Sequence, residues 1–249
     1  MRPSIFGRVR RGLFAIFLVA GGATSVAALP VRPVAARATR DVTEADVTAS
    51  NAKLKMAYQS LVNMWAADFQ QLGVRFVAPS MMRYRGAVRS SCGVMTPNNA
   101  AYCGRENAIY FDEVFVARQA KAAAAELGTD GDMAAVGIIA HEMGHAVAIQ
   151  LGQESRIPYE NEAVADCLAG AFVLQSSKNG ELEKGDLEEA FFGLAAAGDP
   201  EPVLTGYDRV DSRIIRRAAV MGHGTRDQRL ANFQAGYAGG AKACLSVFR

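Results

Sequence analysis

The sequence predicts an α+β domain that is mainly helical and carries a small number of short strands. Two observations support this. Several long segments place apolar residues three or four apart, the period of a helix with one buried face. Strand-like runs, by contrast, are few and only four or five residues long. With 249 residues, half of them hydrophobic, the chain is long enough to bury one proper core.

The N-terminus reads as a targeting segment. Arg2, Arg8, Arg10 and Arg11 precede the apolar run Leu13 to Ala20, and small residues follow through Ala28. That is the charged, apolar and small-residue order of a secretory signal peptide. Residues 1–28 are therefore expected to be removed, with cleavage after Ala27 or Ala28 and Ala38 as a later option. The rival reading is an uncleaved membrane anchor over Gly12 to Val31, which Gly21, Gly22 and Pro30 weaken. Arg10-Arg11 hints at twin-arginine export. Either way the sequence predicts a periplasmic or secreted domain, with a membrane as partner only if the segment is retained. Residues 29–43, rich in Pro, Ala and Arg, read as a linker, which leaves 44–249 as the domain.

The net charge is +2, and part of the excess lies in the leader. A nucleic-acid partner is therefore not expected, because phosphate binding needs a basic patch on the folded domain. Four cysteines remain, Cys92, Cys103, Cys167 and Cys244. An even count in an exported chain favours two disulfides, with three pairings available. The expected pairs are Cys92–Cys103, closing a local loop, and Cys167–Cys244, tying the C-terminus to the core. Close Cys-x-x-Cys spacing is absent, so a cysteine metal site is not predicted.

Along the domain, Leu54, Tyr58, Leu61, Trp65, Phe69 and Leu72 mark an amphipathic helix over 44–71. Val74 to Ala78 is a strand candidate stopped by Pro79, and 81–105 reads as loop. Ala108 to Phe111 is a second strand, ending at Asp112. Residues 121–126 are alanine-rich low complexity. Helices are predicted over 132–151, 160–175 and 186–197. Another begins at Thr225, where Thr225 and Gln228 form a capping box, and runs to about Gly236.

The helix over 132–151 contains His141-Glu142-Met143-Gly144-His145. Residues four apart on an α-helix are offset by about 40° and rise about 6 Å, so the two imidazoles leave one face and reach a single metal. Glu142 lies about 60° beyond His145. It flanks the metal without binding it and can take a proton from water. A solvated His/Glu face would look the same in isolation. This helix, however, is apolar on most sides, and two of the chain's three histidines fall in the motif. Buried polar groups need partners, and a metal supplies them.

A catalytic zinc needs a third protein ligand and an open position. Downstream, Glu162 and Asp166 are four apart and share a helix face. Glu162 is predicted as the third ligand. Asp166 is predicted to accept the N–H of a ligating histidine, His141 first, and so fix its tautomer. Glu160 competes for the ligand role but has no Asp four residues on. For the donor that stabilises an oxyanion, His223 is the first candidate, with Tyr207 and Arg229 as alternatives. The strand around Tyr110 is a candidate for pairing with an extended peptide.

These residues resemble a known family. Asn161-Glu162 followed by Asp166, downstream of His-Glu-x-x-His, looks like the glutamate-zincin peptidases, the group that includes thermolysin. More closely, the chain resembles the bacterial neutral zinc metallopeptidases. The likeness runs from Cys92-Gly93 and Tyr102-Cys103 through Ile109 to Asp112 and the zinc-motif helix. It continues over Glu162 to Gly170, Ala197-Gly198-Asp199, His223-Gly224-Thr225, Gln228-Arg229, Phe233, Gly236 and Cys244. The resemblance implies a zincin-like domain, Zn2+ held by His141, His145 and Glu162, and hydrolysis of a peptide or protein substrate. Two departures stand out. Ala146 follows His145 where the family usually has a second His. The Cys92 loop reads Asn98-Asn99-Ala100-Ala101 where Gly-Pro-Phe is usual before Tyr-Cys. The alternative function is a zinc-binding but catalytically idle envelope domain, against which Glu142 argues.

Overall fold

A computed structural model of the chain describes residues 42–199, 202–218 and 222–248; the predicted signal peptide and nearly all of the linker lie outside them. The first helix, α1 (Glu44–Gln71), starts at a capping box. The Asp46 carboxylate accepts the Thr43 N–H at 2.7 Å while the Thr43 hydroxyl accepts the Asp46 N–H at 3.2 Å, so two otherwise unpaired donors are met reciprocally. Its buried stripe of Val47, Leu54, Leu61, Trp65 and Phe69 covers the core.

The strands are β1 (Ser80–Tyr84), β2 (Val88–Ser90), β3 (Gly93–Met95), β4 (Ala100–Cys103) and β5 (Ala108–Asp112). β5 is the middle of a three-stranded sheet ordered β1-β5-β4, parallel to β1 and antiparallel to β4; β2 and β3 pair separately. Three expectations are corrected here. Val74 to Ala78 is not a strand; the strand begins beyond Pro79, which supplies no N–H to a ladder. The stretch 81–105 is not mainly loop but holds four short strands. The strand of Tyr110 has neighbours on both sides, so its backbone groups are already paired and it cannot take up a peptide; the edge strands are β1 and β4.

Asp112 ends β5 and caps α2 (Glu113–Leu127), its carboxylate accepting the N–H groups of Val114 and Phe115. The alanine-rich stretch lies inside this helix, as expected of the best helix-forming residue once a cap fixes the start. The central element is α3 (Asp132–Gln150). Of its 19 residues 15 are buried, because α1, α2, α4, α5 and β4 all pack on it. α4 (Pro158–Asn179) opens with Pro at its first position and closes at Gly180 in the left-handed conformation. Then come α5 (Asp186–Ala196), α6 (Asp208–Ala218), α7 (Arg226–Gly239) with its Thr225 capping box, the short α8 (Ala241–Cys244) and a final 3-10 turn. α6 has no buried residue. The predicted mainly helical α+β class is what the chain adopts.

Both disulfides are present, Cys92–Cys103 and Cys167–Cys244, with Cα atoms 5.8 Å and 5.5 Å apart. Disulfides belong to oxidising compartments. Among the described residues no helix is long and apolar enough to cross a membrane.

Candidate metal centre

α3 and α4 cross so closely that a side chain at Gly144 would not fit: a Cβ there would lie 2.8 Å from Ala165 Cα and from its carbonyl oxygen. That approach lets Glu162 on α4 face both histidines of α3. His141 Nε2 and His145 Nε2 are 3.2 Å apart, His141 Nε2 is 3.1 Å from Glu162 Oε2, and His145 Nε2 is 3.5 Å from Glu162 Oε1. Ligand atoms about 2.1 Å from a tetrahedral zinc stand about 3.4 Å from one another, so this spacing suits one ion. Glu162 Oε2 is buried and has no partner in hydrogen-bond geometry. Two ring nitrogens and a carboxylate converging on one point make a set that fits a cation.

The electrostatics agree. Burial alone would lower the His141 pKa, yet the charge of Asp166, with the Asp166 and Glu162 carboxylates beside the ring, raises it to about 10. Burial would raise Glu162, but the facing imidazoles hold it far below the usual carboxylate range. The pocket attracts positive charge, which a proton supplies whenever a metal does not.

Asp166 is fully buried behind His141, with Oδ1 2.8 Å from Nδ1. Accepting Nδ1–H leaves the Nε2 lone pair turned toward Glu162 and His145. The carboxylate is held in turn by Arg229 on α7, whose Nη2 and Nε donate at 2.7 Å and 3.1 Å and whose Nη1 donates to the Ala197 carbonyl at 3.1 Å. The Arg229 guanidinium is therefore committed to Asp166 rather than available as an oxyanion donor. Sequence reasoning placed Arg229 at the site without its actual partner, naming it only as an alternative oxyanion donor.

Glu142 is buried, and its Oε2 accepts the Tyr102 N–H of β4 at 2.7 Å. Nothing in the sequence announces this bond, because 40 residues separate the two groups. Glu160 is turned away, its carboxylate bonded to the Ser155 hydroxyl. Glu142, His141, His145 and Glu162 line a cavity of about 500 Å³ with Asn99, Ala100, Ala101 and Tyr102 on one wall and His223 at its rim. The His223 side chain is 59 % exposed, and Asp199 holds its loop by accepting the His223 N–H at 2.6 Å. Tyr207 is 73 % exposed and is absent from the cavity wall. The unusual residues Asn99 to Ala101 thus line the cavity itself.

A family model described as "Putative neutral zinc metallopeptidase" matches residues 18–248. A protein of Escherichia coli K12, called "Uncharacterized protein YpfJ", is 32% identical over 203 residues, covering 74% of this chain and 66% of the relative. Its counterpart of the same name in Escherichia coli O6:H1 matches to the same extent. The chain therefore spans just under two thirds of the length of these curated relatives. No solved structure matches significantly.

Proposed function

Because the chain belongs to the neutral zinc metallopeptidase family, we propose that it is a zinc-dependent peptidase, with Zn2+ held by His141, His145 and Glu162 and Glu142 as the general base. The observation that carries this reading is the placement of Glu142. A buried carboxylate flanks the cation-ready set, opens on the same cavity, and is not one of its three members. An idle metal site has no need of it.

When bound, zinc supplies a Lewis acid that makes water more acidic and polarises the scissile carbonyl. The Tyr102 N–H fixes Glu142 through Oε2 and leaves Oε1 to take the proton of the attacking water and pass it to the leaving amine. Asp166, held by Arg229, keeps His141 in one tautomer and orientation. His223, at the rim, is the donor proposed for the developing oxyanion. The peptide lies along the outer edge of β4, whose residues wall the cavity, in extended form. The domain works outside the cytoplasm after export by its N-terminal segment, and its two disulfides support that location.

Purified protein should contain one zinc per chain and cleave members of a mixed peptide library. Glu142→Gln should keep the zinc and lose cleavage by about 10²- to 10⁴-fold. Undiminished cleavage by that variant sinks the proposed role of Glu142, and protein that folds without taking up zinc sinks the metal reading.

A further inference from the structure

A second acidic group lies about 13 Å along α3 from His141, at the start of that helix. Asp130 and Asp132 belong to the turn that opens α3, and Asp186 and Glu189 to the first turn of α5. One carboxylate oxygen of each lies within 4.8 Å of those of the other three. Oxygens bound to a single calcium at about 2.4 Å can be at most about 4.8 Å apart, so the four meet the spacing that one coordination sphere requires.

The burial makes the cluster more than a charged surface. Glu189 is 0 % and Asp186 1 % exposed, whereas Asp130 is exposed and leaves a way in. Against four carboxylates stands one cation, Lys53, whose Nζ is 2.7 Å from Asp132 Oδ2. The helix starts satisfy only part of the set. Glu189 Oε2 accepts the Met133 N–H at 2.9 Å and Asp186 Oδ2 the Glu183 N–H at 2.8 Å. Asp132 Oδ1 and Glu189 Oε1 are buried without a partner in strict hydrogen-bond geometry, although the Thr129 hydroxyl and the Gly131 N–H lie close enough to Glu189 to hold down its pKa. Unpaired carboxylate oxygens in a low-dielectric pocket are costly unless a proton or a cation joins them. Glu183 adds to the negative field. Burial pushes the carboxyls of Asp132, Asp186 and Glu189 upward, the response of a site short of positive charge.

We propose that this pocket is a structural site for a hard divalent cation of the calcium class, bound by Asp130, Asp132, Asp186 and Glu189 with the Thr129 hydroxyl as a neutral ligand. An all-oxygen donor set without His or Cys suits calcium and not zinc, so the two sites do not compete for one metal. Lys53 stays on the far oxygen of Asp132. The ion clamps the start of α3 to α5, and α3 carries the histidines and Glu142 two turns further on.

The test uses the full chain loaded with one equivalent of zinc and freed of other divalent ions. Calcium chloride, with magnesium chloride as the size control, is titrated while thermal unfolding, heat of binding and zinc content are followed. The expected result is saturable calcium binding that raises Tm by about 5–10 °C at a hundredfold excess over Kd, with magnesium weaker. Asp130→Asn, at an exposed position that should not disturb folding, weakens calcium by at least about tenfold, and Glu189→Gln abolishes the shift. Zinc content stays constant in both. The proposal is overturned if Tm does not move with calcium up to about 10 mM, well above the range of weak extracellular sites. It is equally overturned if Asp130→Asn keeps the full shift. A calcium-insensitive wild type that Glu189→Gln stabilises would show that protons, not a cation, join these carboxylates.

Discussion

Asp166 sits between His141 and the buried Arg229, and both depend on it. Replacing Arg229 with Met leaves the Asp166 charge buried without its cation, which should cost about 3–5 kcal/mol in chemical denaturation. Asp166→Asn keeps the shape but returns the His141 tautomer to chance. Zinc affinity should fall about 10- to 100-fold, read by competition with a chelator, while the fold persists. His223 is exposed and touches no ligand, so His223→Ala should leave zinc content unchanged and lower kcat by about 10²-fold if it meets the oxyanion. An unchanged kcat would confine it to its loop. That His141 and His145 share one helix face, and Glu162 and Asp166 another, was legible from spacing, because four residues return to one face. The Tyr102 N–H on Glu142 was not, because spacing carries no information across separate elements.

Helix crossings decide whether those residues meet. Gly144 lies between His141 and His145 of α3, directly against Ala165 of α4. Gly144→Ala has no flexible side chain to displace, only backbone, so α4 must move outward and carry Glu162 with it. The expected outcome is a stability loss of about 1–3 kcal/mol together with weaker zinc binding. A loss of stability with zinc affinity intact would show that α4 pivots elsewhere. A similar contact joins α4 to α7, where a Cβ on Gly236 would stand 1.7 Å from the Cys167 carbonyl oxygen. It brings Arg229 within reach of Asp166. The long helices were readable because each repeats its apolar positions over several turns. Of the strands only β5, a continuous buried run, was readable; the others were not, because short strands of mixed exposure show no clean alternation, and α6, with nothing to cover, buries no stripe at all.

The molecule as a whole is closed by two disulfides of very different span. Cys167–Cys244 encloses 77 residues of sequence separation and Cys92–Cys103 only 11. By loop entropy alone the first is worth about 4.5 and the second about 2.8 kcal/mol, so a Cys167→Ala/Cys244→Ala pair should lower Tm more than the Cys92/Cys103 pair. Alkali offers an independent probe of the cavity wall. Burial, with the charges of Asp112 and Glu142, pushes the Tyr84 hydroxyl up to about 12, and that hydroxyl donates to the carbonyls of Thr96 and Asn99. Raised above its unfolded value near 10, the group contributes stability that is complete below pH 10. That contribution is lost as pH rises toward 12. Between those values wild type should lose stability more steeply than Tyr84→Phe, measured by urea unfolding at each pH.

Local information determined the helices, their caps and the metal-binding pattern, since period, Ser/Thr capping and four-residue spacing are properties of neighbouring residues. The even cysteine count also announced two disulfides. Only the tertiary structure decided that the strand of Tyr110 is the centre of its sheet, with β4 at the edge beside the cavity, and that Arg229 serves Asp166. It alone gathered Asp130, Asp132, Asp186 and Glu189 from two helix starts into one pocket. Each of these depends on contacts between residues far apart in the chain, which packing sets and no local period records.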